Sequence, residues 1–213
     1  MSNEFWTLLT SQPGVGVLII DEDGVVLYCN PQAKQIYYGD NFNPVGKTIE
    51  EIEGREFAEE RMTVIRQVIE SGNPVILRHI RGGKWTEAAI WPMEPVADRK
   101  KRIISITRQG IDETPASDPL PVFDSGLIDL GPLDVLTRRE LEVLTLVGHG
   151  SPLKSIAKEL GVSQRTVERY RSDVSRKLGV TSIAEIARLV QLAGLEISHA
   201  DMPRLNRWKD TNS

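Results

Sequence analysis

Short apolar runs separated by turn residues fill the first half of the chain, and apolar residues at helical spacing fill the last third. Ahead of Pro13, the residues Phe5, Trp6, Leu8 and Leu9 predict a short amphipathic helix. The β-branched run Val15–Asp21 predicts a strand, and Val25–Cys29 predicts a second directly after the turn Glu22-Asp23-Gly24. An Asp-Gly pair between two such runs is a hairpin signal, because glycine supplies the positive φ that hairpin turns use. Asn30-Pro31 opens a short helix, since proline suits a first turn. Phe57, Met62, Ile65 and Ile69 predict a longer helix over about Arg55–Glu70, ended at Ser71-Gly72. Three strands follow, at Val75–Ile80, Lys84–Trp91 and Lys101–Arg108, the first two joined by Gly82-Gly83.

From Gly110 to Pro132 the pattern breaks. Pro115, Pro119, Pro121 and Pro132 stand among Asp, Ser and Gly, and proline interrupts helices and central strands. Leu120-Pro121-Val122-Phe123 and Leu127-Ile128-Asp129-Leu130 are apolar enough to dock on a neighbouring surface, so a partly ordered connector is expected. Beyond it the helix signals are explicit. Thr137-Arg138-Arg139-Glu140 is a capping box ahead of Leu141, Leu144 and Val147. Ser151-Pro152 is expected to cap a second helix whose Ile156, Ala157 and Leu160 face inward. Gly161-Val162-Ser163 is a tight turn. Ser163 caps a third helix that carries Val167, Val174 and Leu178 on one face and stops at Gly179. Ser182-Ile183-Ala184-Glu185 is a second capping box and opens a fourth helix, to about Ala193.

The expected class is α+β: an N-terminal, mostly antiparallel five-stranded sheet with helices, over residues 1–110, and a C-terminal all-α four-helix domain over 133–197. Residues 111–132 form the linker and 198–213 a tail. With 213 residues, 40% of them hydrophobic and 26% charged, the chain has ordinary globular composition, which excludes wholesale disorder and coiled-coil rods. Charge separates the halves. Residues 1–135 carry 13 basic and 21 acidic side chains, a net of −8; residues 136–213 carry 13 and 9, a net of +4. That split points to a polyanion partner for the second half. The single cysteine, Cys29, excludes an intramolecular disulfide framework and suits a reducing, cytoplasmic setting. Val15–Ile20 is the longest apolar run, far short of a membrane span, and the N-terminus lacks a basic signal-peptide start.

The segment Val15–Arg108 resembles a PAS domain, a five-stranded sensory fold. The residues that carry the likeness are Gly16–Asp21, Gly24–Ala33 and Pro44-Val45-Gly46-Lys47. The resemblance implies a small-molecule or protein signal of unknown identity, with no cofactor indicated. A phosphoacceptor receiver is the competing reading of Val17–Asp23, but residues 41–97 contain no Asp to take a phosphoryl group, and Asp23-Gly24 leads into a strand where a receiver needs a helix.

Two short helices joined by a Gly-containing turn form a helix-turn-helix, whose second helix enters the major groove. The stretch Leu136–Leu195 is similar to the DNA-binding domain of the LuxR/FixJ type. The likeness rests on Leu136-Thr137, Arg139-Glu140, Glu142-Val143-Leu144, Gly150, Ile156-Ala157, Leu160–Ser163, Thr166-Val167-Glu168 and Arg176–Val180. The exposed face of the third helix offers Gln164, Arg165, Glu168, Arg169 and Ser172; arginine bonds guanine in bidentate fashion and glutamate accepts from cytosine. The resemblance implies that Glu168, Arg169 and Ser172 read bases, and with Arg165 on the same face these are the expected base contacts. The resemblance implies phosphate contacts at Ser151, Thr166, Tyr170, Arg176 and Lys177. Glu168 and Tyr170 depart from the Lys and His common in the family. The resemblance also assigns the fourth helix to a homodimer interface, with Leu189 and Leu192 as its candidates. Double-stranded DNA, a second copy of the chain and RNA polymerase are the candidate partners. A sigma-factor-like promoter-recognition protein is the alternative, distinguished by the capped fourth helix.

No catalytic constellation stands out. His79, His149 and His199 have no metal-ligand spacing. His79 shares strand parity with Val75 and Leu77 and is expected to face the interior, as a hydrogen-bonded core histidine by default. Trp85 and Trp91 share a parity as well, with core packing favoured over a pocket. Cys29 reads as a buried, inert thiol.

Overall fold

The computed structural model describes residues 3–95, 100–110 and 120–205. The chain forms two compact units: residues 1–79 with 86–125, and residues 80–85 with 126–213.

In the first unit, helix α1 (Asn3–Ser11) precedes strand β1 (Val15–Asp21), which turns into β2 (Val26–Cys29). The Asp21 carboxylate holds this turn by accepting from the Asp23 and Val25 amides at 3.0 and 2.9 Å. Lys100 Nζ bonds Asp23 at 2.8 Å and lies 3.5 Å from Asp21, so these acids serve the turn and its neutralising lysine, not a receiver-type centre. A bulge between Ile19 and Ile20 displaces the register against β2. Asn30 then ties α1 (Asn3–Ser11), β1 and the helix that follows this residue together. Its Oδ1 accepts from Val17 and Ala33 amides, both at 2.8 Å, and its Nδ2 donates to the Thr10 and Val15 carbonyls, both at 2.9 Å. It is 1% exposed and every hydrogen-bonding position of its amide is used, as burial requires.

Asn30 caps α2 (Pro31–Tyr37), and Thr48 with Glu51 forms a capping box on α3 (Ile49–Glu53). Helix α4 (Arg55–Ser71) ends at Gly72, whose φ of 70° is the left-handed cap. Strands β3 (Val75–Arg81), β4 (Lys84–Met93) and β5 (Arg102–Gln109) follow at the predicted places. The sheet order is β2-β1-β5-β4-β3-β6. Five strands were expected and six are present among the described residues: β6 (Val122–Asp124) is a part of the connector, paired in parallel with β3 through Ile76, Leu77 and Arg78. The edge of β3 leaves amides and carbonyls open, and an apolar extended segment satisfies them. The connector prolines Pro115 and Pro119 lie outside the described residues.

The second unit is built on helices α5 (Arg138–Gly148), α6 (Leu153–Leu160), α7 (Gln164–Leu178) and α8 (Ile183–Ala193). The sequence assigns α5 one apolar stripe, but every residue from Glu140 to Val147 is buried. Helices α6, α7 and α8 and a 3-10 turn at Ile197–Asp201 all pack on it. Gly148 lets α8 close in: a Cβ there would meet Val190 Cβ at 2.6 Å. Ser151 is not the cap of α6; Pro152 takes the N-cap position with no side-chain bond, because the helix starts one residue later than the sequence suggested.

The segment expected as a tail is packed over its described part. Ile128 and Arg204 form a parallel bridge, and the Arg204 guanidinium donates to the Leu136 carbonyl at 2.7 Å. In the same unit, Asp129 accepts from the Gly83 amide through its carbonyl and from the Gly131 amide through its carboxylate, and it faces buried Arg81 at 3.6 Å. Gly131, at φ 51°, must be glycine here, since a Cβ would lie 2.5 Å from the Gly82 carbonyl carbon. Among the described residues no helix is long and apolar enough to cross a membrane.

Candidate nucleic-acid interface and sensory cavity

Helix α7 is set by the turn before it. Gly161 takes the left-handed conformation at φ 67°, and the Ser163 hydroxyl accepts from the Thr166 amide at 3.1 Å and pairs with the Thr166 hydroxyl at 2.8 Å. Val167 and Val174 are fully buried, which fixes the rotation of α7 about its axis. With that face inward, Gln164, Arg165, Glu168, Arg169 and Ser172 are exposed together. Gln164 bonds Glu168 at 3.3 Å, and the Arg169 guanidinium lies 5.4 Å from the Tyr170 ring. The Ser172 hydroxyl donates back to the Glu168 carbonyl, leaving its oxygen as an acceptor. All four expected base contacts thus share one surface.

The expected phosphate contacts divide. Arg176 is exposed at the end of α7 and pairs with Asp173 at 2.8 Å. Thr166 and Ser151 are half-buried, and Tyr170 is half-buried against the apolar cluster of the unit. Lys177 is engaged inside the unit: its Nζ donates to Glu140 Oε2 at 2.6 Å and to the Val135 carbonyl at 3.3 Å. Burial alone would raise the Glu140 carboxyl. The Lys177 ammonium and the amide and hydroxyl of Thr137 more than offset this and hold it below its ordinary value. Lys154 and Ser155, which are not among the expected contacts, are both exposed in the first turn of α6. Their signal was available, because the first helix of this motif crosses the backbone.

On α8, Ile186, Val190 and Ala193 are buried and Leu189 is half-buried against the same cluster. Leu192 is 38% exposed and Ile183 58%. Nine residues apart, these two exposed side chains lie on opposite flanks of the helix, so the wide apolar arc is mostly core.

The first unit encloses a cavity with an empty volume of about 550 Å³, counting the space at its mouth. Its walls come from β1, α2, α3, α4, β3, β4 and β5, and are mainly aliphatic. Polar side chains enter the lining from α2, β3 and β5 (Tyr37, His79, Ser105) and from α3 and α4 (Glu53, Arg61). The Tyr37 hydroxyl and Thr107 Oγ1 are 3.0 Å apart, Ser105 Oγ is 3.5 Å from Thr107, and the His79 ring lies parallel to Tyr37 at 6.2 Å. His79 thus faces inward as strand parity predicted, and lines this cavity. Neither Trp85 nor Trp91 does: Trp85 packs against the apolar cluster of the second unit and Trp91 is 38% exposed. Burial pushes the Cys29 thiol up to about 11, which keeps it protonated and unreactive at neutral pH. No cluster of three or more metal-ligating side chains occurs among the described residues.

Comparison with known proteins matches both halves. Residues 134–190 match the family of bacterial regulatory proteins of the luxR family, and residues 10–105 match the PAS fold. The transcriptional regulatory protein FixJ of Azorhizobium caulinodans is 43% identical over 60 residues, 28% of each chain. The transcriptional regulatory protein UhpA of Escherichia coli is 43% identical over 58 residues, 27% of this chain and 30% of that protein. The chain thus spans under a third of the length of these curated relatives. Among solved structures, a Vibrio cholerae VqmA–ligand–DNA complex aligns over 93% of this chain and 92% of that one, at 21% identity and a TM-score of 0.47.

Proposed function

We propose that this protein is a transcription regulator whose helix α7 reads double-stranded DNA and whose PAS-fold cavity receives a small-molecule signal. The observation that carries the reading is the rotational setting of α7. Burial of Val167 and Val174 turns Arg165, Glu168, Arg169 and Ser172 outward on one face, in a unit that is matched by the luxR family. Arg165 and Arg169 supply bidentate donors for guanine, and Glu168 an acceptor for the cytosine amino group. Arg176, Thr166, Ser151, Tyr170 and Lys154 supply the sequence-independent attraction to phosphates. The protein works as a homodimer that sets two α7 helices about one DNA turn apart, with Leu192 at the α8 contact. The capped helix α8 speaks against the sigma-factor-like alternative. No catalytic step is part of this reading.

Selection of DNA from a random library by the full chain, followed by affinity at graded salt, tests the reading. A selected sequence with a steep negative slope of log K against log salt is expected. Failure to enrich any sequence, or an affinity indifferent to salt, would overturn it. Stable association with core RNA polymerase would favour the sigma-like alternative instead.

A further inference from the structure

The cavity and the connector share a residue. Arg61 lines the cavity from α4, with its side chain 9% exposed, and its guanidinium lies 4.5 Å from the ring of Phe57, another lining residue. The same guanidinium bonds Glu60 Oε2 at 2.7 Å and reaches Ser125 Oγ at 3.5 Å. Ser125 closes the triangle by donating its hydroxyl to Glu60 Oε2 at 2.8 Å. Ser125 directly follows β6, and it is buried. Its amide donates to the Arg78 carbonyl at 2.9 Å, while the Ile76 amide donates to the Pro121 carbonyl at the other end of the strand. Strand β6 has only three residues, so these end bonds and the Ser125 clamp carry much of its attachment.

We infer that Arg61 is the residue through which the contents of the cavity set the attachment of connector strand β6. The inference rests on the proposed role of the cavity as the sensory site. An occupant that displaces Phe57 displaces the guanidinium resting on it. The 3.5 Å contact to Ser125 is at the limit of a hydrogen bond and is the first to be lost, and Glu60, ion-paired to the same guanidinium at 2.7 Å, is drawn away from its 2.8 Å bond with Ser125 along with it. Packed interiors respond to such shifts by switching between discrete arrangements, not by deforming evenly. Loss of the clamp loosens β6, and the chain runs from Ser125 directly into Gly126 of the second unit.

The test uses the full chain and benzene, a probe that enters apolar cavities. Methyl shifts of Ile90 and Ile103 report its entry. Amide hydrogen exchange at Ile76 and Ser125 reports the attachment of β6. Benzene is expected to speed exchange at these two amides by about tenfold, the scale of one charge-assisted hydrogen bond. Arg61→Met keeps the side-chain length over Phe57 but removes the donors, and Ser125→Ala removes both the acceptor for Arg61 and the donor to Glu60. In either variant exchange is expected to be fast without benzene and unchanged with it. Ala88→Leu, which fills the cavity from β4, is a second occupant that needs no added molecule. Benzene entry with no change at Ile76 and Ser125 would overturn the inference, as would an undiminished response in both variants. Failure of benzene to shift the Ile90 and Ile103 methyls would remove the cavity as an accessible space and the inference with it. The proposed function fails separately, by absent DNA selection, since no exchange measurement involves DNA.

Discussion

Replacing Lys177 by methionine separates two roles that a basic residue at the end of a reading helix can have. As a phosphate contact, Lys177 would contribute about 0.9 to the salt slope of log K and little to stability. The structure places its ammonium 2.6 Å from Glu140, whose side chain is 7% exposed against 27% for Lys177. Removing one partner of a fully buried pair costs roughly 3–5 kcal/mol, and a hydrogen bond to a charged group is worth about 1.5–3. Lys177 keeps some contact with water, which puts the expected loss at about 2 kcal/mol. For a domain of this size that is a drop of roughly 10 °C in the transition of the second unit. The loss depends on pH. Glu140 titrates below its ordinary 4.5 in the folded chain, so its stabilising contribution is complete above that value and fades as pH falls through the lowered one. Lys177→Met should therefore cost most at neutral pH and converge on the parent in acid. Calorimetry of the full chain, with amide exchange in the first turn of α5, measures this. Glu140→Gln combined with Lys177→Met should cost less than the sum of the two changes. A variant with unchanged stability and a salt slope smaller by about one contact would refute the reasoning and return Lys177 to the DNA surface.

Other expectations follow from the same geometry. Arg169→Ala should lower affinity for the selected site by about 1–3 kcal/mol while leaving random DNA nearly unaffected; an equal loss on both would make Arg169 a phosphate contact. Leu192→Glu should keep helix content by circular dichroism and weaken cooperative binding to paired half-sites, whereas Leu189→Glu, half-buried in the core, should lower stability and all binding together. Undiminished cooperativity in folded Leu192→Glu would remove α8 from the dimer contact. Gly148→Ala should destabilise the second unit by about 1–3 kcal/mol through overpacking against Val190, with Val190→Ala restoring part of the loss; thermal unfolding checks both.

Much of the architecture could be read locally. The turn at Asp23-Gly24, the Asn30 cap and the capping boxes of Thr137 and Ser182 each depend on residues within about four positions of one another, so their chemistry is written contiguously. The inward and outward faces of α7 likewise follow from the spacing of Val167 and Val174, which is why the residues proposed to read bases share one exposed face. Strand β6 was not legible as a strand, because three residues carry no alternation and its pairing depends on a free edge 46 positions earlier, at Ile76↔Val122. The burial of α5 from Glu140 to Val147 comes from helices on several sides and from the Ile197–Asp201 turn, none of which its own periodicity can announce. Lys177 looks like a free cation in sequence, yet Glu140, 37 positions away, meets it once α5 and α7 pack. The cavity is the extreme case: its walls are drawn from seven elements, and only the strand parity of His79 hinted at it. The hydrogen bonds of caps and turns join neighbouring residues and are visible in order. Packing joins residues by distance in space, and only the folded chain decides which of them meet.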